Sequence, residues 1–220
     1  MLLQEKYSKQ LVNILDALKH LSDSNFCELD QDNFDYQLVD DFKSIYNGSF
    51  KSACGASKGV LIFKEFGFVI KIPFSECDGY EMYGAYECEE DEKWNYCEQE
   101  AIRYYKAEQA NVHQVFLKTE LIKDFNMYPI YIQEIAESLD SLEESDSRSS
   151  HSDDDEKFVR NCSDIANIGW QADVYAVYGK DYFLKFLDFV EDLGINDLRN
   201  ANIGYIGMKP IIFDYAGFYE

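Results

Sequence analysis

One lysine constrains the N-terminal half of this chain more than any other residue. Gly67-Phe68-Val69-Ile70-Lys71-Ile72 is an apolar, strand-like run with Lys71 inside it and Pro73 closing it. An ammonium buried without a partner is costly, so such a strand needs a compensating group from another element. The neighbouring residues read as a sheet. Val60-Leu61-Ile62-Phe63 and the lysine strand flank Lys64-Glu65-Phe66, which predicts a β-hairpin. A first strand is expected over 48–53, and Gly55-Ala56-Ser57-Lys58-Gly59 reads as a tight turn leading into the hairpin.

The compensating carboxylate is expected on a helix over 94–110, where Ala, Glu, Gln and Arg dominate. Glu100 is the first choice and Glu98 the second. Two residues apart, they point to nearly opposite helix faces, so only one can turn inward. Two further strands are expected at 115–122 and 128–132, joined by Lys123-Asp124-Phe125-Asn126. Ahead of the sheet, Leu3, Leu11, Ile14, Leu15, Leu18 and Leu21 recur at helical spacing and predict an amphipathic helix packed on its own domain. Residues 22–47 carry only weak signals.

Two segments read as insertions. Residues 75–100 hold ten acids, and 75–93 are expected to be an exposed acidic insertion. Residues 137–157 hold seven serines and nine acids. With so little apolar surface, a segment of this kind cannot offset the entropy of ordering, so it is expected to be disordered. Helices are expected at 157–176 and 180–193, then a loop and two short strands. The layout is an α+β chain: an N-terminal helix at 1–22, a β-rich lobe at 23–136, a linker at 137–157 and a mostly helical part at 158–220.

The net charge is −22. That argues against direct binding to nucleic acid or to an anionic membrane surface, and it suits a basic protein partner. No apolar run approaches the ~20 residues of a membrane span. The N-terminus lacks the features of a signal peptide. Cysteines at 27, 54, 77, 88, 97 and 162 form no C-x-x-C pair, which fits reduced thiols in a cytoplasm. The letters Gly55 to Gly59 also spell G-x-S-x-G, but a β-rich segment follows where a hydrolase elbow needs a helix, so a serine hydrolase is rejected.

The last quarter carries the chemistry. In Ile195-Asn196-Asp197-Leu198-Arg199-Asn200-Ala201-Asn202, an aspartate and an asparagine lie five residues apart, and Asp214 then ends the apolar run Ile211-Ile212-Phe213. Protein kinases place a catalytic Asp, a metal-binding Asn and a second metal-binding Asp in this order. With Val69-Ile70-Lys71 upstream, the chain resembles the protein-kinase-like fold over about 48–217. It is similar in style to the short kinase-like proteins of bacteriophages. The resemblance implies ATP and Mg²⁺ as ligands. It implies that Lys71 contacts phosphates and pairs with Glu100, and that Gly55, Ser57 and Gly59 lie over the phosphates. Backbone groups near Glu134 and Ala136 would meet the adenine edge. Asp197 would orient an attacking hydroxyl, with Arg199 beside it contacting phosphate, and Asn202 and Asp214 would hold magnesium through oxygen ligands.

The sequence also departs from that pattern. Ile195-Asn196 stand where kinases carry His-Arg, and D-F-G has become Asp214-Tyr215-Ala216, with Gly217 one place late. Six residues follow Asp214, which implies a reduced C-lobe with no activation segment. The resemblance thus carries nucleotide binding further than phosphoryl transfer. Two other readings stand beside it: a non-catalytic kinase-like scaffold acting through a partner, and an acidic inhibitor imitating nucleic-acid phosphates in a host enzyme's basic groove. If the chain is viral, the location implied is the host cytoplasm.

Overall fold

The structure is a computed structural model that describes residues 2–22, 29–55, 57–74, 95–125, 128–141, 150–195 and 198–216. It is an α+β chain dividing into two compact units. The first comprises Met1–Ala101 with Thr119–Ile135, the second Ile102–Lys118 with Ala136–Glu220. The expected acidic insertion at 75–93 lies outside the described residues.

The first unit is built on a five-stranded antiparallel sheet of β1 (Lys51–Cys54), β2 (Lys58–Phe63), β3 (Phe68–Pro73), β4 (Thr119–Phe125) and β5 (Tyr128–Glu134), in the order β1-β2-β3-β5-β4. Side chains alternate across a strand, and here the alternation separates two chemistries. Leu61, Phe63, Phe68, Ile70, Ile72 and Ile132 are fully buried on one face. That face packs against α1 (Leu3–Lys6), α2 (Ser8–Ser22), a short π-helical turn (Phe34–Leu38) that follows α3 (Gln31–Asn33), and α4 (Val39–Ile45) in one continuous core. The N-terminal amphipathic segment is two helices, with Tyr7 at the break between them. Leu11, Ile14, Leu18 and Leu21 form the buried stripe of the second. Its register on the sheet is pinned by polar contacts. The Tyr128 hydroxyl donates to the Leu18 carbonyl at 3.0 Å, and the Leu3 amide donates to Glu120 at 2.7 Å. The weak signals at 22–47 hide the helices that cover the far end of this face, where Phe42 stacks among Tyr46, Phe50 and Phe63.

Helix α5 (Tyr96–Ala110) begins in the first unit and ends in the second. In the second unit, α6 (Asp153–Arg160), α7 (Ile168–Tyr178) and α8 (Lys180–Asp192) share a core with a small sheet of β6 (Glu137–Ser138), β7 (Ile203–Ile206) and β8 (Lys209–Ile212). β7 and β8 form a hairpin whose two-residue turn starts at Gly207, in the left-handed region. Trp170, Phe183, Phe186 and Tyr215 fill the centre of this core. Among the described residues, no helix is long and apolar enough to cross a membrane.

Two expectations are corrected here. The segment 137–157 is not a disordered linker at its ends. Glu137 and Ser138 pair with Tyr205 and Gly204 on β7, and residues from Asp153 onward are helical; 142–149 lie outside the described residues. The physical reason is a capping box. The Ser152 hydroxyl and Asp155 carboxylate each bind the other's backbone amide, and four acids in the first turn face the positive end of the helix dipole. Serine and aspartate here signal a helix start rather than low complexity. The single helix expected over 157–176 is in fact two, α6 and α7, separated by a segment in which Asn167 adopts a left-handed conformation.

The α6–α7 packing centres on His151. Its Nδ1 lies 2.9 Å from Asp173 and its Nε2 lies 3.1 Å from Glu156. Only the doubly protonated ring can donate to both carboxylates. Burial alone would lower its pKa, but the bonds and charges of Asp173 and Glu156 outweigh that and hold it above the ordinary 6.5. A folded-state pKa above the unfolded one gives stability that is fully present below pH 6.5 and lost as pH rises through the folded value. The melting temperature of wild type is therefore expected to fall more between pH 6 and 8.5 than that of His151→Gln. Parallel pH curves would show that folding leaves the ring's proton affinity unchanged.

Candidate functional site

The first unit carries a polar cluster on the sheet face opposite the apolar core. Register places its members together. Val60 pairs with Lys71, which puts Lys58, two residues before Val60, on the same face and diagonal to Lys71. Val69 pairs with Gln133, and Gln133 pairs with Thr119, so these two polar side chains continue the row across β5 and β4.

Helix α5 brings the carboxylate. Asn95 caps it, its side-chain oxygen accepting from the Glu98 amide at 3.0 Å, while its amide nitrogen donates to the Tyr131 hydroxyl on β5 at 3.0 Å. Burial pushes the Tyr131 phenol up, so it serves this contact as a neutral hydroxyl. With the helix start fixed, Glu98 is exposed and Glu100 is completely buried. Glu100 Oε2 accepts from Lys71 Nζ at 2.7 Å and from the Thr119 hydroxyl at 2.8 Å. Gln133 donates in turn to that hydroxyl at 2.9 Å. Glu100 Oε1 accepts from Lys58 Nζ at 2.8 Å. Lys58 and Lys71 are 6% and 4% exposed, an uncommon state for lysine.

The turn before β2 is closed on itself. The Gly55 amide donates to the Lys58 carbonyl, and the Ser57 carbonyl accepts from Phe74, both at 3.0 Å. A Cβ on Gly59 would overlap the Phe34 ring, so packing against the π-helical turn is itself a reason for that glycine. Glu134 ends β5, where its carboxylate accepts from Lys6 and, at 3.0 Å, from the Tyr7 hydroxyl. Ala136 opens the second segment of the second unit.

The second unit carries the other expected residues. Helix α8 ends in a Schellman cap: the Gly194 amide donates to Glu191, the Ile195 amide to Val190, and Gly194 has the positive φ the motif needs. The cap turns the chain into the loop holding Asp197, which lies outside the described residues. Just after it, the Leu198 carbonyl accepts from the Asn167 side chain. Arg199 is exposed and Asn202 is buried. The Asn202 carbonyl accepts from the Phe213 amide at 3.0 Å and the Asp214 amide at 3.3 Å, so the two candidate magnesium residues are main-chain neighbours. Tyr215 anchors this end: its carbonyl accepts from Arg103 at 2.6 Å and its hydroxyl donates to Leu117 at 2.8 Å.

No protein-family model, curated protein or solved structure matches the chain.

The chemistry of the two units must therefore be read from the residues. Among the described residues, no group of three or more His, Cys, Asp or Glu is placed to hold a metal ion. Asn202 and Asp214 still offer hard oxygen donors of the kind magnesium takes, alongside water and phosphate oxygens. Lys71 with Glu100 can hold an ammonium in a fixed position for a phosphate. Lys58, Thr119, Gln133 and Arg103 were given no role from the sequence, and Tyr215 was noted only as part of the altered D-F-G. Strand register alone would have put Lys58 on the Lys71 face; the others carry no local signal.

Proposed function

We propose that the chain is a kinase-like nucleotide-binding protein. Lys71 contacts the phosphates of ATP, Glu100 positions that lysine, and Asn202 with Asp214 hold magnesium. The observation that carries the reading is the buried Lys71–Glu100 pair at 2.7 Å, made between the third strand of the sheet and the helix that follows it in the chain. Kinases depend on a lysine–glutamate pair of this kind for phosphate binding. The main-chain contact between Asn202 and Asp214 supports the metal assignment, and both residues stand in the required chain order. Bound magnesium would supply positive charge against the phosphates. Asp197 would orient the proton of an acceptor hydroxyl, which makes the chain a phosphotransferase by this reading.

The test is a thermal shift. A ligand that binds only the native state adds about 2.7 kcal/mol at a hundredfold excess over its dissociation constant. Millimolar Mg-ATP is expected to raise the melting temperature by several degrees. The same ATP with EDTA should raise it much less, because a chain of net charge −22 repels an uncompensated triphosphate. An unchanged melting temperature with Mg-ATP would sink the nucleotide reading.

A further inference from the structure

The proposed site uses one lysine, yet Glu100 holds two. Building on the nucleotide reading of Lys71, we infer that Lys58 is a second phosphate-contacting lysine. Glu100 then positions both ammonium groups for one polyphosphate chain.

Three observations carry this. The first is placement. Lys58 opens β2 at the turn that runs from Gly55, and the strand register sets it diagonal to Lys71 on one sheet face. The second is the division of the carboxylate. Oε1 takes Lys58 at 2.8 Å and Oε2 takes Lys71 at 2.7 Å, so neither lysine displaces the other. Thr119 braces the Oε2 side, and Gln133 braces Thr119. The carboxylate is thus fixed in rotation, and both ammoniums are fixed with it. The third is energetic. A buried triad of charges adds little to stability compared with apolar side chains of similar volume, because desolvation cancels most of the attraction. Two lysines buried this deeply among the described residues therefore point to a ligand. Lysine ammoniums are compact point charges suited to phosphate oxygens. A polyphosphate presents such oxygens in series, which suits two ammoniums held on the two oxygens of one carboxylate.

The experiment uses the full chain as wild type, Lys58→Met and Lys71→Met. Binding is measured by calorimetry with Mg-ATP, inorganic tripolyphosphate and adenosine. Each substitution leaves one lysine on Glu100, so the carboxylate keeps a partner in both variants. Each is expected to weaken Mg-ATP and tripolyphosphate by roughly tenfold or more, the scale of one lost charge-assisted hydrogen bond, and to leave adenosine unchanged. If Lys58→Met binds both phosphate probes as wild type does while Lys71→Met does not, Lys58 is structural. The inference then fails and the nucleotide reading stands. If wild type binds tripolyphosphate through both lysines but does not bind Mg-ATP, the nucleotide reading fails and the two-lysine grip stands. If wild type binds neither probe, both fall. Should Lys58→Met not fold, the ammonium NMR signals of wild type decide the matter. Tripolyphosphate is expected to move both lysine signals, and movement of Lys71 alone, or of neither, overturns the inference.

Discussion

Replacing Glu100 with alanine is expected to lower stability by about 3–5 kcal/mol, the usual cost of breaking a buried ion pair from one side. For a chain of this length that corresponds to a fall in melting temperature of roughly 6–20 °C. The reason lies in what remains. Lys58 and Lys71 lose the carboxylate that each contacts below 3 Å, and the Thr119 hydroxyl loses its acceptor. Glu98→Ala is the control. It removes the same chemical group two residues away from an exposed position and is expected to change stability by no more than ~0.5 kcal/mol. Equal melting temperatures for the two variants would show that Glu100 is not the buried partner. A triple variant sharpens the result. Replacing Glu100, Lys58 and Lys71 together with methionine removes the charges as a set, and most of the lost stability should return. If the triple variant is as unstable as Glu100→Ala, the loss came from packing and not from stranded charge.

The same cluster shows where sequence reasoning reached and where it stopped. A lysine in an apolar strand demanded a carboxylate, and helix periodicity reduced the choice to Glu98 or Glu100. The structure selects Glu100 through the Asn95 cap, which sets the start of α5 and so the face each residue occupies. Lys58 escaped because a lysine between Ser57 and Gly59 looks like a solvated turn residue. Only the pairing of Val60 with Lys71 turns it under the sheet. The α+β class and the strand sequence of the five-stranded sheet were legible because β2 and β3 are dense in Val, Ile and Phe, and β5 in Ile and Tyr. The helices over 31–45 were not, since polar residues interrupt their buried positions Phe34, Leu38, Val39 and Phe42. Composition misled at 150–157, where serine and aspartate form a cap. There the relevant signal was the spacing of Ser152 and Asp155, not their abundance.

Asp197→Asn and Asp214→Asn are expected to fail in different ways, and that difference tests the chemistry. If Asp214 holds magnesium as proposed, Asp214→Asn replaces a charged oxygen ligand with a neutral one, so magnesium and nucleotide binding should weaken together. The Asp214 amide still donates to the Asn202 carbonyl, and Tyr215 still has its bonds to Arg103 and Leu117, so a melting curve of the variant separates lost binding from lost folding. By the proposed reading, Asp197→Asn removes an acid–base group and no metal ligand. Nucleotide affinity should stay near that of wild type, while turnover falls by about 10²–10⁴-fold, the usual contribution of a positioned proton acceptor. Slow hydrolysis of ATP by water is a sufficient readout, since it needs no identified acceptor. The two variants then separate a phosphotransferase from a scaffold. An enzyme loses turnover in Asp197→Asn at constant affinity. A scaffold binds Mg-ATP with the same affinity in wild type and Asp197→Asn, and hydrolyses it in neither. In that second case the Lys71–Glu100 pair and the Asn202–Asp214 contact would serve to hold a nucleotide as a structural ligand, and the function would lie in whatever surface that bound state presents.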